Sequence, residues 1–552
     1  MGAQRPMQSS ARHRYFKRRL KRSFGLLTAG LILAGIVGGG LAYPVMAPDS
    51  SRWSGPVITP TVSPNAVSVT SSVPETSLPT PETPTEEAVL LTIDATPTRE
   101  EPGLPLPTQA QIVPPSDDPS ILYYTVAGDS LAVVSLRFGV NVGEVKSPAE
   151  IERHGLLPPG QLLIIPNRLG ETSSRSKLLP DSEVTFSPST IDFDIQSFVE
   201  EAGGYLASYS QYLATTGITS GADVIGRIAL EYSVNPRLLL AFLEYRSGWV
   251  YGFPEDQQSI DYPLGYYLEA KKDLYLQAAW FASRVMDGYY GWKEGRQLAV
   301  DFDDGQFLRL APELNSGTVG LMNAFSDLYS YDDWAQALYA EESFFTLFEQ
   351  MFGSPWIRAQ QVEPLIPADI AQPEMILPFE PNYKWAFTGG PHAAWSSADV
   401  WAALDFAPPS SETGCHESPV WVVASVPGRV VRSENGVVVI DMDGDGYEQT
   451  GWTLLYLHIA TKDRIPLDTW VEVGDRIGHP SCEGGRSTGT HVHIARRYNG
   501  EWVPAGGPLP FTLSGWTARA SSEPYKGWLT RGTEIIYANT AATFETHIKR
   551  EE

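Results

Sequence analysis

The sequence predicts a multidomain chain: a membrane anchor and disordered stalk, then a small module of strands and helices, an all-α middle domain, and a mainly β C-terminal domain. Three observations lead there. At 552 residues the chain is too long for one hydrophobic core. Its first 23 residues carry eight basic side chains and no acidic one, and Phe24 to Ala42 follows without a charge. Farther on, apolar residues recur at three- and four-residue spacing as far as about Gln361, then give way to short β-prone runs.

Residues 1–47 read as a basic N-terminus with a transmembrane anchor or export signal. An uncharged stretch of this length can cross a bilayer as a helix with its basic flank in the cytoplasm, which places everything after Tyr43 outside. A cut after Ala47 would leave Pro48 at the start of the product, which signal peptidases tolerate badly, so the expectation is a single-pass protein of the cell membrane, or a secreted one if the segment is cleaved. Residues 48–119 are rich in Pro, Thr, Ser and Glu and lack a sustained apolar period. Such a stretch cannot bury enough surface to offset its ordering entropy and reads as a stalk. Without the eight N-terminal positive charges, the net charge of −25 becomes about −33 on the exported part, which excludes nucleic acid as a partner. The two cysteines, Cys415 and Cys482, are expected to pair in an oxidising exterior. Their bridge would pin the segment leading to His491 and stabilise the fold by roughly 4 kcal/mol in the chain-entropy model.

Residues 120–168 open with Tyr123-Tyr124-Thr125-Val126-Ala127-Gly128-Asp129-Ser130-Leu131, a short strand, a Gly-Asp turn and a capped helix start. Phe138-Gly139-Val140 ends the helix, and Gly160-Gln161-Leu162-Leu163-Ile164-Ile165-Pro166 supplies a second strand. Over nearly its whole length this stretch resembles a LysM domain, a βααβ module that binds glycan strands. It departs at Lys146-Ser147-Pro148-Ala149, where that family has an Asn-containing loop.

Residues 190–362 show helical spacing at Ile225, Ile228, Ala229, Leu238, Leu239, Phe242 and Leu243. The run from Val234-Asn235-Pro236 through Glu244 to Ser247-Gly248-Trp249 is similar to the opening of lysozyme-like lytic transglycosylases, whose catalytic Glu directly precedes the Ser. That position is Arg246 here. A glycan-cleaving acid must sit beside the scissile oxygen, so Glu244 is expected on the helix surface or in helix packing. The aromatics, among them Trp249, Tyr266, Trp280 and Trp292, fit core packing at least as well as a sugar groove.

Residues 379–552 carry the chemistry. In Thr490-His491-Val492-His493-Ile494 a strand's two-residue period puts both imidazoles on one face. His392 follows Gly389-Gly390-Pro391, and Asp405 lies thirteen residues later. A His-His-carboxylate set leaves one tetrahedral position of Zn²⁺ open, as a catalytic site requires. His154, His416 and His479 read as structural residues. Asp441-Met442-Asp443-Gly444-Asp445-Gly446 alternates oxygen ligands as a Ca²⁺ loop does, but Trp452 stands where the twelfth-position Glu would be, so a hairpin turn is the preferred reading and Ca²⁺ the weaker one.

From about Phe379 to Trp516 the sequence resembles the lysostaphin-type and β-lytic zinc metallopeptidases (LytM-like domains), built on an antiparallel β scaffold and active on peptidoglycan cross-links or glycine-rich bonds. Most members place the first ligand four residues before the aspartate, which is Trp401 here, but the β-lytic branch uses a Gly-Gly-X-His turn upstream, which Gly389-Gly390-Pro391-His392 matches. By that resemblance His392, Asp405 and His493 hold zinc, while His491 and the His458 of Tyr456-Leu457-His458 act on the proton and the oxyanion. The expected function is that of an extracytoplasmic zinc endopeptidase of peptidoglycan, touching both peptide cross-links and glycan strands. The alternative is a non-enzymatic activator or scaffold for other wall hydrolases.

Overall fold

The computed structural model describes residues 119–395 and 400–551. The proposed anchor at Phe24–Ala42 and the stalk up to residue 118 lie outside them, and no helix among the described residues is long and apolar enough to cross a membrane.

Ser120–Tyr124 (β1) pairs antiparallel with Leu162–Pro166 (β2). Between them runs Leu131–Phe138 (α1), started by the Ser130 side chain accepting the Val133 N–H and closed by Gly139 in the left-handed conformation at φ +67°. Leu131, Val134 and Phe138 pack on Leu163 and Ile165. The second helix of a βααβ module is absent: a single 3₁₀ turn, Val142–Glu144, is followed by non-helical chain as far as β2. Pro148, Pro158 and Pro159 lack the N–H a helix needs, and the Ser147 hydroxyl takes the Ala149 N–H instead. The module is stitched to the next layer by Arg137, which donates to the Trp292 carbonyl, and by Arg309, which donates to the carbonyls of Leu136 and Arg137.

The middle region is built around Gly221–Tyr232 (α2), Pro236–Ser247 (α3), Leu274–Lys293 (α4) and Ser316–Ser326 (α5). Ser220 caps α2 and Asn235 caps α3, with Pro236 at the first helical position. Phe242 and Phe281 stack at 3.8 Å between α3 and α4. Trp249, Tyr289, Tyr290 and Trp292 are fully buried, as core packing requires. Glu244 is buried too, and its carboxylate accepts the N–H groups of Val250 and Tyr251, so it closes the turn after α3. The region is not wholly helical. Ser210–Leu213 pairs with Gly217–Ser220 and Ala299–Asp301 with Phe307–Arg309, where Gly217 and Gly305 at positive φ turn β-prone runs back on themselves.

The C-terminal region forms an antiparallel sheet. In chain order its strands are Lys384–His392 (β3), Ala403–Ala407 (β4), Gly428–Glu434 (β5), Val437–Asp441 (β6), Trp452–Leu457 (β7), Trp470–Val471 (β8), Val492–Tyr498 (β9), Glu501–Trp502 (β10) and His547–Lys549 (β11). They lie side by side as β8-β5-β6-β7-β9-β4-β3-β11, with β10 beside β9. Strict alternation splits the side chains between two cores. Leu404, Phe406, Val438, Ile440, Tyr456, Val492 and Ile494 point to a layer containing Phe379, Trp385, Phe511 and Trp516. Ala403, Val437, Val439, Leu455, Leu457 and Ala495 point the other way and share one continuous core with the helices. The Asp441 carboxylate accepts the N–H groups of Asp443 and Gly446, closing the turn after β6.

Helices and sheet also meet through polar contacts. The buried Glu501 carboxylate accepts from Tyr289 and Lys293, the Tyr290 hydroxyl accepts the Trp502 N–H at 2.8 Å, and the Ser233 hydroxyl donates to the Gly500 carbonyl. Gly500 sits at φ +79°, and a Cβ there would lie 2.0 Å from the Phe186 carbonyl oxygen. Both strain and collision oppose any larger residue. Gly500→Ala is therefore expected to lower the unfolding free energy by about 1–3 kcal/mol in chemical denaturation; an unchanged midpoint would contradict the close docking of helices on sheet.

Candidate metal centre and catalytic site

The sheet order brings the histidines and Asp405 together. β9, β4 and β3 are neighbours, and in register His493 stands opposite Asp405, which stands opposite Gly389. Val492 turns into the core, so His491 and His493 share the face of Asp405. Gly389 and Gly390 do not form the expected turn but lie in β3, where the register shifts twice before His392. The reason is space: a Cβ on Gly389 would sit 2.4 Å from an Asp405 carboxylate oxygen, and one on Gly390 2.8 Å from the Lys526 backbone. Bare backbone lets β3 bulge and deliver His392 beside the carboxylate.

His392, Asp405 and His493 present ligand atoms that all lie within 4.8 Å of one another, and all three residues are buried. Oδ1 of Asp405 is 3.3 Å from Nε2 of His392 and 3.2 Å from Nδ1 of His493, and those two nitrogens are 3.1 Å apart. The other nitrogen of each ring donates to a backbone carbonyl, Nδ1 of His392 to Gly390 at 2.8 Å and Nε2 of His493 to Ala394 at 2.9 Å. A carbonyl can only accept, so the neutral rings turn unprotonated nitrogens toward the carboxylate. Oδ1 is buried with no hydrogen-bond donor. Three lone pairs thus converge on one point, which is the donor set and orientation a zinc ion takes.

The electrostatics point the same way. Burial pushes the Asp405 pKa up, but the imidazoles of His392 and His491 outweigh it and hold the carboxyl well below its usual range. Burial pushes His392 down, and the Asp405 carboxylate more than offsets this, raising it. His493 is lowered, chiefly by burial. The pocket asks for a cation, which a proton on His392 supplies only in part.

His458 and His491 stand beside this set, ring centroids 4.4 Å apart. Nδ1 of His458 donates to the Glu483 carbonyl at 2.8 Å and Nδ1 of His491 to the Gly489 carbonyl at 2.8 Å, leaving both Nε2 atoms free to accept. Nε2 of His491 is 3.7 Å from Oδ1 of Asp405. Burial, with the neighbouring His491 and His493, pushes the His458 pKa down to about 3, so it is neutral at physiological pH. His458 also adopts φ +67°, a costly conformation for a non-glycine residue and one often met at functional sites. His416 and His479 lie outside the set, with Nδ1 on the carbonyls of Gly414 and Val420. Cys415 and Cys482 are joined, as expected.

Tyr525 was not found from sequence. It lies in the turn between Trp516–Ala520 and Gly527–Arg531 at φ +63°, and its ring stacks on His392 at 4.1 Å. Its carbonyl accepts the Gly390 N–H and its N–H donates to the Pro391 carbonyl, so the same glycine-bearing bulge positions both rings. Its pKa is raised, first by burial and then by Asp405, which keeps the phenol protonated. The only sequence signal was a Pro-Tyr-Lys-Gly turn, with no spacing to the histidines that marks it.

The chain is similar to several known proteins. The family described as LasA, N-terminal domain, matches residues 177–366, which replaces the transglycosylase likeness read in the helical region. Protease LasA of Pseudomonas aeruginosa is 26% identical over 360 residues, 61% of this chain and 77% of that protein. The beta-lytic metalloendopeptidase of Lysobacter enzymogenes is 25% identical over 150 residues, 27% of this chain and 80% of that enzyme. Among solved structures, the M23 metalloprotease pseudoalterin is 22% identical, with a TM-score of 0.25, 30% of this chain covered and 96% of that one. The likeness to Protease LasA overturns the expectation of a retained single-pass anchor: an uncharged stretch like Phe24–Ala42 serves an export signal as well as an anchor. The C-terminal domain of this chain is a LytM-like metallopeptidase domain of the lysostaphin and β-lytic type.

Proposed function

We propose that the chain is an extracytoplasmic zinc endopeptidase that cuts the peptide part of bacterial peptidoglycan. The observation that carries the reading is the donor-less Oδ1 of Asp405, faced by imidazole nitrogens whose hydrogens are committed elsewhere. The names of the relatives, a protease and a metalloendopeptidase, support it.

In this reading His392, Asp405 and His493 hold the metal. Zinc held there would supply Lewis acidity, to activate water and polarise the scissile carbonyl. The chain's own residues do the rest. The free Nε2 of His491 or of His458 accepts the proton of the attacking water, and the imidazolium so formed stabilises the oxyanion and returns the proton to the leaving amine. The protonated phenol of Tyr525, 46% exposed beside His392, is placed to donate to the developing negative charge. The helices cover the sheet face beyond Ala495, so substrate approaches from the side of His491 and Tyr525. Residues 379–552 form the peptidase domain in this proposal, residues 190–362 a helical domain packed on it, and residues 120–168 a LysM-like glycan-binding module. The antiparallel pairing of Ser120–Tyr124 with Leu162–Pro166 around one helix supports the last assignment. The intact histidine and aspartate set favours an enzyme over a non-enzymatic activator, which needs neither His458 nor His491.

Two outcomes are expected. His493→Ala or Asp405→Ala should lose both zinc, by elemental analysis, and cleavage of purified wall, by mass spectrometry of the fragments. Zinc retained in either variant would contradict the ligand assignment. His458→Ala and His491→Ala should keep their zinc and lose roughly 10²-fold or more in rate, and Tyr525→Phe should keep its zinc and lose about tenfold or more. If the unaltered protein releases no peptide fragment, the activator reading takes its place.

A further inference from the structure

The segment between β4 and Val422 contains no helix or strand, and residues 409–415 are exposed. Two things hold its far end. One is the disulfide from Cys415 to Cys482. The other is Thr490, the buried residue just before His491: its N–H donates to the Gly414 carbonyl at 3.0 Å, its hydroxyl accepts the His416 N–H at 2.9 Å and donates to the His416 carbonyl at 2.8 Å. The other end of the disulfide is anchored at the site as well. Ser481 donates from both its N–H and its hydroxyl to the His458 carbonyl, at 2.7 and 3.0 Å, and its carbonyl accepts the His491 N–H at 3.3 Å. Glu483 accepts from the His458 ring. The contacts close a ring: Ser481 to His491, Thr490 to residues 414–416, Cys415 to Cys482, and back to Ser481.

We infer that the Cys415–Cys482 disulfide, acting through Thr490 and Ser481, is a clasp that positions the His491 imidazole for proton transfer, beyond any stapling of the fold. The orientation of His491 depends on the Gly489 carbonyl that takes its Nδ1 hydrogen; that carbonyl shares a peptide plane with the Thr490 N–H, which is held by Gly414, and it also accepts from the Ser487 hydroxyl at 2.6 Å. With the clasp open, the exposed 409–415 segment is free to leave, Thr490 loses three hydrogen bonds, and the peptide plane that carries the Gly489 carbonyl is left with the Ser487 hydroxyl alone to hold it. His493 keeps its place because it is paired in register with Asp405 and Leu457 inside the sheet. The effect therefore falls on a proton-transfer residue and spares the metal set. The inference rests on the proposed role of His491.

The test uses the full chain carrying Cys415→Ala with Cys482→Ala, and separately Thr490→Val and Thr490→Ser. The expected result is unchanged zinc content and KM, with kcat lowered at least tenfold in the double-cysteine and Thr490→Val variants and largely restored in Thr490→Ser, which keeps the hydroxyl. In metal-free protein, ¹⁵N spectra should show His491 as one tautomer, hydrogen on Nδ1, in the unaltered chain and as a mixture in the double-cysteine variant. A lowered melting temperature with full kcat and a single tautomer would reduce the disulfide to a staple and overturn the inference. His491→Ala separates the two ideas: normal activity in that variant sinks the role of His491 itself, whereas its loss together with full kcat in the clasp variants sinks only the clasp.

Discussion

A buried carboxylate oxygen faces two imidazole nitrogens that have no hydrogen to give, and the surrounding structure is arranged to keep it so. Water would satisfy Asp405 if it could reach it, but the residue is closed in by the sheet and by the ring of His392. Backbone carbonyls take the hydrogens of His392 and His493 and so fix which nitrogen of each ring faces inward. Leaving such a group unpaired costs on the order of 1–3 kcal/mol or more, and a divalent cation removes that cost for all three residues at once. The orientation that metal binding needs is thus already set by the chain's own hydrogen bonds.

The same sheet that builds the site decides what surrounds it. Because side chains alternate, the strand that carries His493 places Ala495 two positions on, under the helices, and Val492 and Ile494 in the opposite core. Small residues on the helical side, Ala403 and Ala495, let the helices come close to the metal set without entering it. Glu501 and Trp502 lock the β9–β10 end of the sheet to α4, and Gly500 closes it against Ser233 and Phe186, so the helices cover one side of the sheet. His491 and Tyr525 are the partly exposed side chains beside the set.

Much of this was legible in the sequence. The His-X-His period put His491 and His493 on one face, because strand alternation is a local property, while His392 and Asp405 were picked out by the resemblance to the β-lytic branch. The cysteine pair was readable from compartment and number alone. What the sequence hid was non-local or steric. Gly389-Gly390 reads as a turn, but the two glycines are there because a carboxylate and the Lys526 backbone press against β3 from both sides. Tyr525 meets His392 only after two layers have packed, and no periodicity links residues 133 positions apart. The prolines after Lys146 were visible, yet the LysM likeness suggested a helix where they permit only a turn. The transglycosylase likeness of the middle region faded because Glu244 is buried in a helix-end turn.

The most direct test of the account is zinc-edge X-ray absorption on the purified full chain. Two imidazole nitrogens together with oxygen donors at about 2.0–2.1 Å are expected, since His392, Asp405 and His493 turn ligand atoms to one point, whereas the other such group among the described residues, Asp441, Asp443 and Asp445, offers oxygen alone. A sulfur scatterer at about 2.3 Å, or three or more imidazoles on the metal, would contradict it, because either result would place the ion away from Asp405 or make a ligand of His458 or His491.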